Sequence, residues 1–224
     1  MTPKQQEQLQ QLKNRFNGLL TSINGSSSTE FSTTVETGYE ALALAFVMTE
    51  YRRVYGAITN LTYPTSSSFL NQKPGRFRID RSFKMDFANG KSFYFAADVE
   101  VFGLEALNNS GPVGTLFEAD IVVIPELKAN DIINNFRGYP APQHIDSAYE
   151  CKFGSYHKGQ LREFLGLKRH LCFLCRHPST KPQLFGIPIQ QSIPDIPLKL
   201  VRPRVQMFFD SSTASLYDLE QIIV

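Results

Sequence analysis

Two carboxylates and a lysine in this chain are spaced so that they could meet. Asp120 heads the apolar run DIVVI, and Glu150 and Lys152 flank Cys151 in the short run YECKF. Side chains alternate along a strand, so Glu150 and Lys152 share one face while Cys151 turns away. If the two runs are neighbouring strands, both acids point at one spot and the Cys151 carbonyl adds another oxygen. Oxygen ligands of this kind suit Mg2+ or Mn2+. Phosphodiester hydrolysis needs a hydroxide nucleophile, neutralised charge in the transition state and a stabilised leaving oxygen, and a bound divalent cation serves all three. Lys152 would act first through its charge, beside the attacking water or a phosphate oxygen.

A second E-x-K occurs at Glu126-Leu127-Lys128, directly after Pro125. That proline suits a strand end rather than a strand interior, and no strongly basic helix follows, so the pair Glu150/Lys152 is preferred. The compact run HLCFLCRH holds His170, Cys172, Cys175 and His177. Structural zinc usually takes its ligands from two separated knuckles, and the intervening Leu and Phe residues read better as a buried strand, so zinc is not expected. No G-x-S-x-G turn supports serine catalysis, and no P-loop is present.

The elements that must position these residues can be read in order. Residues 4–23 carry Leu9, Leu12, Phe16, Leu19, Leu20 and Ile23 at helical spacing, and a polar linker follows at 25–34. Thr33 and Glu36 have capping-box spacing, which predicts a helix running to about Tyr55, before Gly56, with Tyr39, Leu42, Ala43, Phe46 and Val47 on its apolar face. Phe77–Phe87 and Ser92–Phe102, separated by Asn89-Gly90, read as a hairpin. Leu116–Ile124 reads as a buried strand, Ser147–Phe153 as a shorter one, Lys158–His170 as a helix and Leu171–Cys175 as a last core strand. Six prolines between Pro178 and Pro203 argue against a long helix or a central strand and for a surface excursion. A strand at Val205–Phe209 and a short helix at Leu216–Ile223 complete the reading.

The 224 residues suffice for one sizeable domain, and 42 % hydrophobic with 20 % charged content is ordinary for a globular chain. The longest apolar run, Ala41–Met48, is far below the roughly 20 residues of a membrane span. The N-terminus lacks the apolar stretch of a secretory signal and the three cysteines make no disulfide framework, so a cytoplasmic setting is expected. The net charge of +2 conceals a strong asymmetry. Between Phe95 and Asp131 seven acids face one base, and between Cys151 and Lys181 seven bases face one acid. A carboxylate cluster followed by a basic element is what a metal site beside a phosphate track requires, although solvated faces would give the same pattern.

FEADIVVI followed by YECKFG resembles the metal-binding core of the PD-(D/E)XK nuclease superfamily, the restriction-endonuclease-like fold. The resemblance implies an α/β core of helix, three strands, helix and strand, with a mixed central sheet flanked by helices. It spans residues 34–177, between an N-terminal amphipathic arm and linker at 1–33 and a proline-rich extension at 178–224. It implies that Asp120, Glu150 and the Cys151 carbonyl bind Mg2+ or Mn2+ and that Lys152 is the catalytic lysine. Glu40, in GYEALALAF, matches a further glutamate that the first core helix often contributes, and Gln160, in GQLREF, matches a glutamine on the helix after the E-x-K strand. Lys158, Arg162, Lys168 and Arg169 would line the DNA backbone. The expected activity is metal-dependent endonucleolytic cleavage of DNA, in restriction or defence, by a homodimer. The alternative is a nuclease-fold subunit that binds DNA or a protein partner without cutting. The 29 residues between Asp120 and Glu150 form a long insertion that either reads substrate or decorates the fold.

Overall fold

A computed structural model describes residues 1–24, 34–65, 74–103, 106, 110–112 and 114–151, together with the strand residues 183–184, 187–188, 198–202 and 220–223. The chain is α/β. Helices α1 (Pro3–Asn24) and α2 (Val35–Tyr55) precede strands β1 (Ile58–Thr62), β2 (Phe83–Phe87), β3 (Ser92–Phe102) and β4 (Leu116–Pro125). Helix α3 (Glu126–Asn134) follows, then β5 (Ser147–Cys151), the two-residue strands β6 (Gln183–Leu184) and β7 (Ile187–Pro188), β8 (Leu198–Arg202) and β9 (Glu220–Ile223). The main sheet runs β1-β2-β3-β4-β5-β8-β9, antiparallel from β1 to β5 and parallel from β5 through β8 to β9. Among the described residues no helix is long and apolar enough to cross a membrane.

Helix α2 starts where Thr34 caps it, its hydroxyl accepting from the Thr37 N–H, and stops at Gly56, whose φ of 90° a glycine adopts without strain. The cap is thus Thr34, one residue later than the predicted box; Thr33 lies outside the described residues. The apolar face read from sequence is too narrow. Ala41 through Ala45, Val47 and Met48 are all buried, because the sheet covers one side of α2 and α1 covers another. The stretch Ala41–Met48 is apolar on all sides, as a helical segment held in an interior should be.

Helix α1 docks on this core. Phe16, Leu20 and Ile23 enter the same core as Phe83, Phe95, Ile121 and Tyr149, and Phe16 meets Phe83 edge-on at 6.5 Å between ring centroids. Truncating a buried phenylalanine of this kind costs about 3–5 kcal/mol, so α1 is integral to stability. Its apolar stripe is used inside the chain.

The opposite face of the sheet packs a second core, with Tyr94, Val122, Ile124 and Ala148 against Ala129 and Ile132 of α3. That helix lies in the insertion between Asp120 and Glu150. His144 anchors the chain that returns from it: its Nδ1 accepts from the Ala141 N–H at 3.0 Å, and its Nε2–H donates to Asp131 on α3 at 2.7 Å. Tyr51 of α2 reaches across the first core, bonding Asp146 and the Ser147 hydroxyl at the start of β5.

Several expectations are corrected. Phe77–Ser82 is not strand: Ile79–Arg81 forms a 3-10 turn, closed by bonds from Arg81 N–H and the Ser82 hydroxyl to the Arg78 carbonyl. The proline-rich stretch does contain a central strand. Pro197 and Pro203 bracket LKLVR, which is free of proline, and this segment lies between β5 and β9. The terminal segment is strand rather than helix over Glu220–Ile223, where pairing with β8 overrides local propensity. The expected helix at 158–170 and the strands at 171–175 and 205–209 lie outside the described residues.

Candidate metal centre

The register of β4 with β5 pairs Ile121 with Tyr149, Val122 with Ala148 and Val123 with Ser147. Continued by one pair, it sets Asp120 across from Glu150, so the two sequence-predicted acids occupy adjacent strands at matching height. Glu150 is buried, at 8 % exposure, and Asp120 is half-buried. The Cys151 N–H donates to Oδ2 of Asp120 at 2.5 Å, which links the Asp120 carboxylate directly to the E-x-K strand.

On its other side β4 pairs with β3, Ala97 opposite Ile121 and Val99 opposite Ala119. Asp98 therefore lies opposite Asp120, and Glu100 is paired with Glu118. Like charges directly opposite on an antiparallel pair destabilise it by roughly 0.2–1 kcal/mol, so two acid-acid rungs separated only by Val99/Ala119 are not what packing alone selects. Asp98 is also left-handed, with φ 52°. Alternate residues of a strand should share a face, yet Ala97 and Ile121 pack with α1 and α2 while Val99 and Ala119 join the core under α3. The faces exchange at the Asp98/Asp120 rung.

The result is a group in which carboxylate oxygens of Asp98, Glu118 and Asp120 all lie within 4.8 Å of one another. Burial, and secondly the negative charge of Glu118, push the Asp98 carboxyl up to about 7. A donor set of carboxylate oxygens alone is of the kind that suits Mg2+ or Mn2+.

Sequence reasoning named Asp120 as a ligand, Asp98 only as the partner acid to be sought if Glu150 were not the second ligand, and Glu118 not at all. Their signal was present in the acidic excess from Phe95 to Asp131, and in the D-x-E and E-x-D spacings on two strands that pair. The 4.8 Å group does not include Glu150 or Glu40; the latter is half-buried on α2, in the layer that covers the Tyr149 side of the sheet. Lys152, Gln160, Lys158, Arg162, Lys168 and Arg169 lie outside the described residues, as does the HLCFLCRH run.

The competing E-x-K has a different setting. Glu126 and Lys128 open α3, where residues two apart fall on different faces, and Glu126 pairs with Lys84 at 2.7 Å. Lys84 also holds Asp86 at 3.0 Å, a surface ion-pair group away from the carboxylates around Asp120.

Comparison of the chain with family models, with curated proteins and with solved structures returns no match.

Proposed function

We propose that the chain is a metal-dependent nuclease that hydrolyses phosphodiester bonds in DNA, built on a restriction-endonuclease-like core. One observation carries the reading: Asp120 stands between two acidic sources, sharing a 4.8 Å group with Asp98 and Glu118 on one side and bonding the E-x-K strand beside Glu150 on the other. A divalent cation bound there supplies a Lewis acid for a phosphate oxygen and a more acidic water. The residues of the chain divide the remaining work. Asp120 is oriented by the Cys151 N–H, Asp98 gives up its proton when positive charge arrives, and Lys152 offsets charge at the reacting phosphate. A homodimer would place two such sites on the two strands of a duplex.

The test is incubation of the protein with plasmid, single-stranded DNA and RNA, with Mg2+, with Mn2+ and with EDTA. Cleavage is expected with either cation and none with chelator; undiminished cleavage in EDTA defeats the mechanism. That Glu150 lies outside the three-carboxylate group favours a second reading, a nuclease-fold subunit that binds cation and DNA without turnover. Metal-dependent DNA binding with no cleavage of any substrate would select it.

A further inference from the structure

Among the described residues, two other than glycine have positive φ: Asp98 and Arg137, at 52° and 56°. Such residues carry a cost of order 1–3 kcal/mol and persist where the surroundings hold them. Both are held by the same short segment. The Gly75 N–H bonds the Asp98 carbonyl at 3.2 Å and the Glu100 N–H bonds the Gly75 carbonyl at 2.8 Å, while two residues on the Phe77 N–H bonds the Gly138 carbonyl at 2.8 Å. Residues 75–77 thus bridge the acidic rung to the turn that follows α3.

Phe77 is buried against Tyr94, and Arg76 is exposed. Arg76 is positioned rather than loose. Its guanidinium carbon lies 5.4 Å from the centroid of the Tyr139 ring, and its Cβ would stand 3.1 Å from any Cβ placed on Gly138. Gly138, at φ 86°, therefore permits the close approach of the two segments. Arg137, exposed and immediately before it, brings a second guanidinium to the same turn. Among the described residues neither Arg76 nor Arg137 has an ion-pair partner, whereas Arg53 and Arg78 do. Two exposed arginines without ion-pair partners, carried by segments tied through Gly75 to the backbone of Asp98 and Glu100, are suited to an anion.

The geometry points to Arg76 and Arg137, with Tyr139 supporting Arg76, as a clamp for the phosphate backbone of duplex DNA flanking the carboxylate centre. This assignment gives the insertion between Asp120 and Glu150 a substrate-holding role, and it rests on the nuclease reading for its partner.

The test measures binding of a labelled 20-base-pair duplex by fluorescence anisotropy, in Ca2+, across a salt series, for the full chain and for the double variant R76Q/R137Q. Two lost phosphate contacts should lower the slope of log K against log salt by about 2 and weaken binding on the order of tenfold, alike for unrelated duplex sequences. Lys91→Gln, at the β2–β3 turn, removes one charge elsewhere and should leave the slope unchanged. Arg137→Gly relieves the left-handed strain, so it should weaken binding while Tm is kept or raised, a combination that a structural role for Arg137 would not give. Unchanged affinity and slope in R76Q/R137Q overturn the clamp even if the parent cleaves DNA. Lost binding in R76Q/R137Q, with no cleavage by the parent in Mg2+, upholds the clamp and removes the nuclease reading; a parent that binds no duplex removes both.

Discussion

Asp98 and Asp120 face each other across β3 and β4, on the one rung of that ladder where the strands exchange faces and where a non-glycine residue is left-handed. Two carboxylates in that position, with Glu118 beside them, make the stability of the fold sensitive to protons, and the proposed cation would act on the same group.

Asp98 is held protonated to about 7 by burial and by Glu118, against 3.8 for an ordinary aspartate. A raised carboxyl contributes stability that is complete below the unfolded value and is lost as pH rises through the folded one. Without divalent cation, this contribution should therefore drain away between about pH 4 and pH 7. A cation replaces the missing proton, so Mg2+ or Ca2+ at saturation should raise Tm by more at pH 8 than at pH 5. Scanning fluorimetry at the two pH values checks this, and equal shifts would show that Asp98 does not face the ion.

Asp120→Ala, Glu150→Ala and Lys152→Ala should each leave a folded protein whose cleavage is lowered by orders of magnitude, with a residual rate because groups acting as a unit are not additive. Asp98→Asn should do the same if the three-carboxylate group binds the ion, and it should also abolish the pH difference above. Glu126→Ala and Lys128→Ala should stay within about tenfold of the parent, roughly 1.4 kcal/mol in barrier height. Plasmid-nicking rates decide between the two E-x-K sites: loss in Glu126→Ala with retention in Glu150→Ala would move the centre.

His144, at 1 % exposure, joins Ala141 to Asp131 through both ring nitrogens. Burial keeps its imidazole below the usual range despite the Asp131 carboxylate, so its contribution is present above about pH 6.5 and is lost as pH falls. His144→Ala leaves the Ala141 N–H buried without its acceptor, at a cost of about 1–3 kcal/mol. Urea denaturation should give that deficit at pH 7.5 and a smaller one at pH 5; a deficit that grows on acidification would contradict the assigned tautomer.

Tyr51→Phe removes the hydroxyl that joins α2 to Asp146 and Ser147, and should destabilise the chain by about 1–3 kcal/mol in urea denaturation. Since Tyr51 stands away from the carboxylate group, cleavage per folded molecule should be unaltered. A large loss of turnover in fully folded Tyr51→Phe would tie this buried network to the chemistry.

What could be read from sequence followed the strength of local pattern. Helix α1, helix α2 and the strands β3 and β4 have long periodic signals, and their observed bounds fall close to the predicted ones. Strand β1 was missed because ITNLT buries only Leu61, the weak pattern of an edge strand. Helix α3 was missed because it begins directly after Pro125 and buries little beyond Ala129 and Ile132. Asp120 and Glu150 were legible through their spacing, whereas the proximity of Asp98 and Glu118 depends on a left-handed residue and a face exchange that no periodicity encodes.

Strand β5 carries Glu150, and its partner on one side is β8, where Ala148 pairs with Leu198 about fifty positions further along the chain. On a ribosome, β5 therefore emerges as an unfinished sheet margin, its outer amides and carbonyls exposed until Arg202 has left the exit tunnel. The strand that carries the buried Glu150 is thus completed late in synthesis, and a polypeptide interrupted before residue 198 presents an unpaired strand edge where β8 belongs.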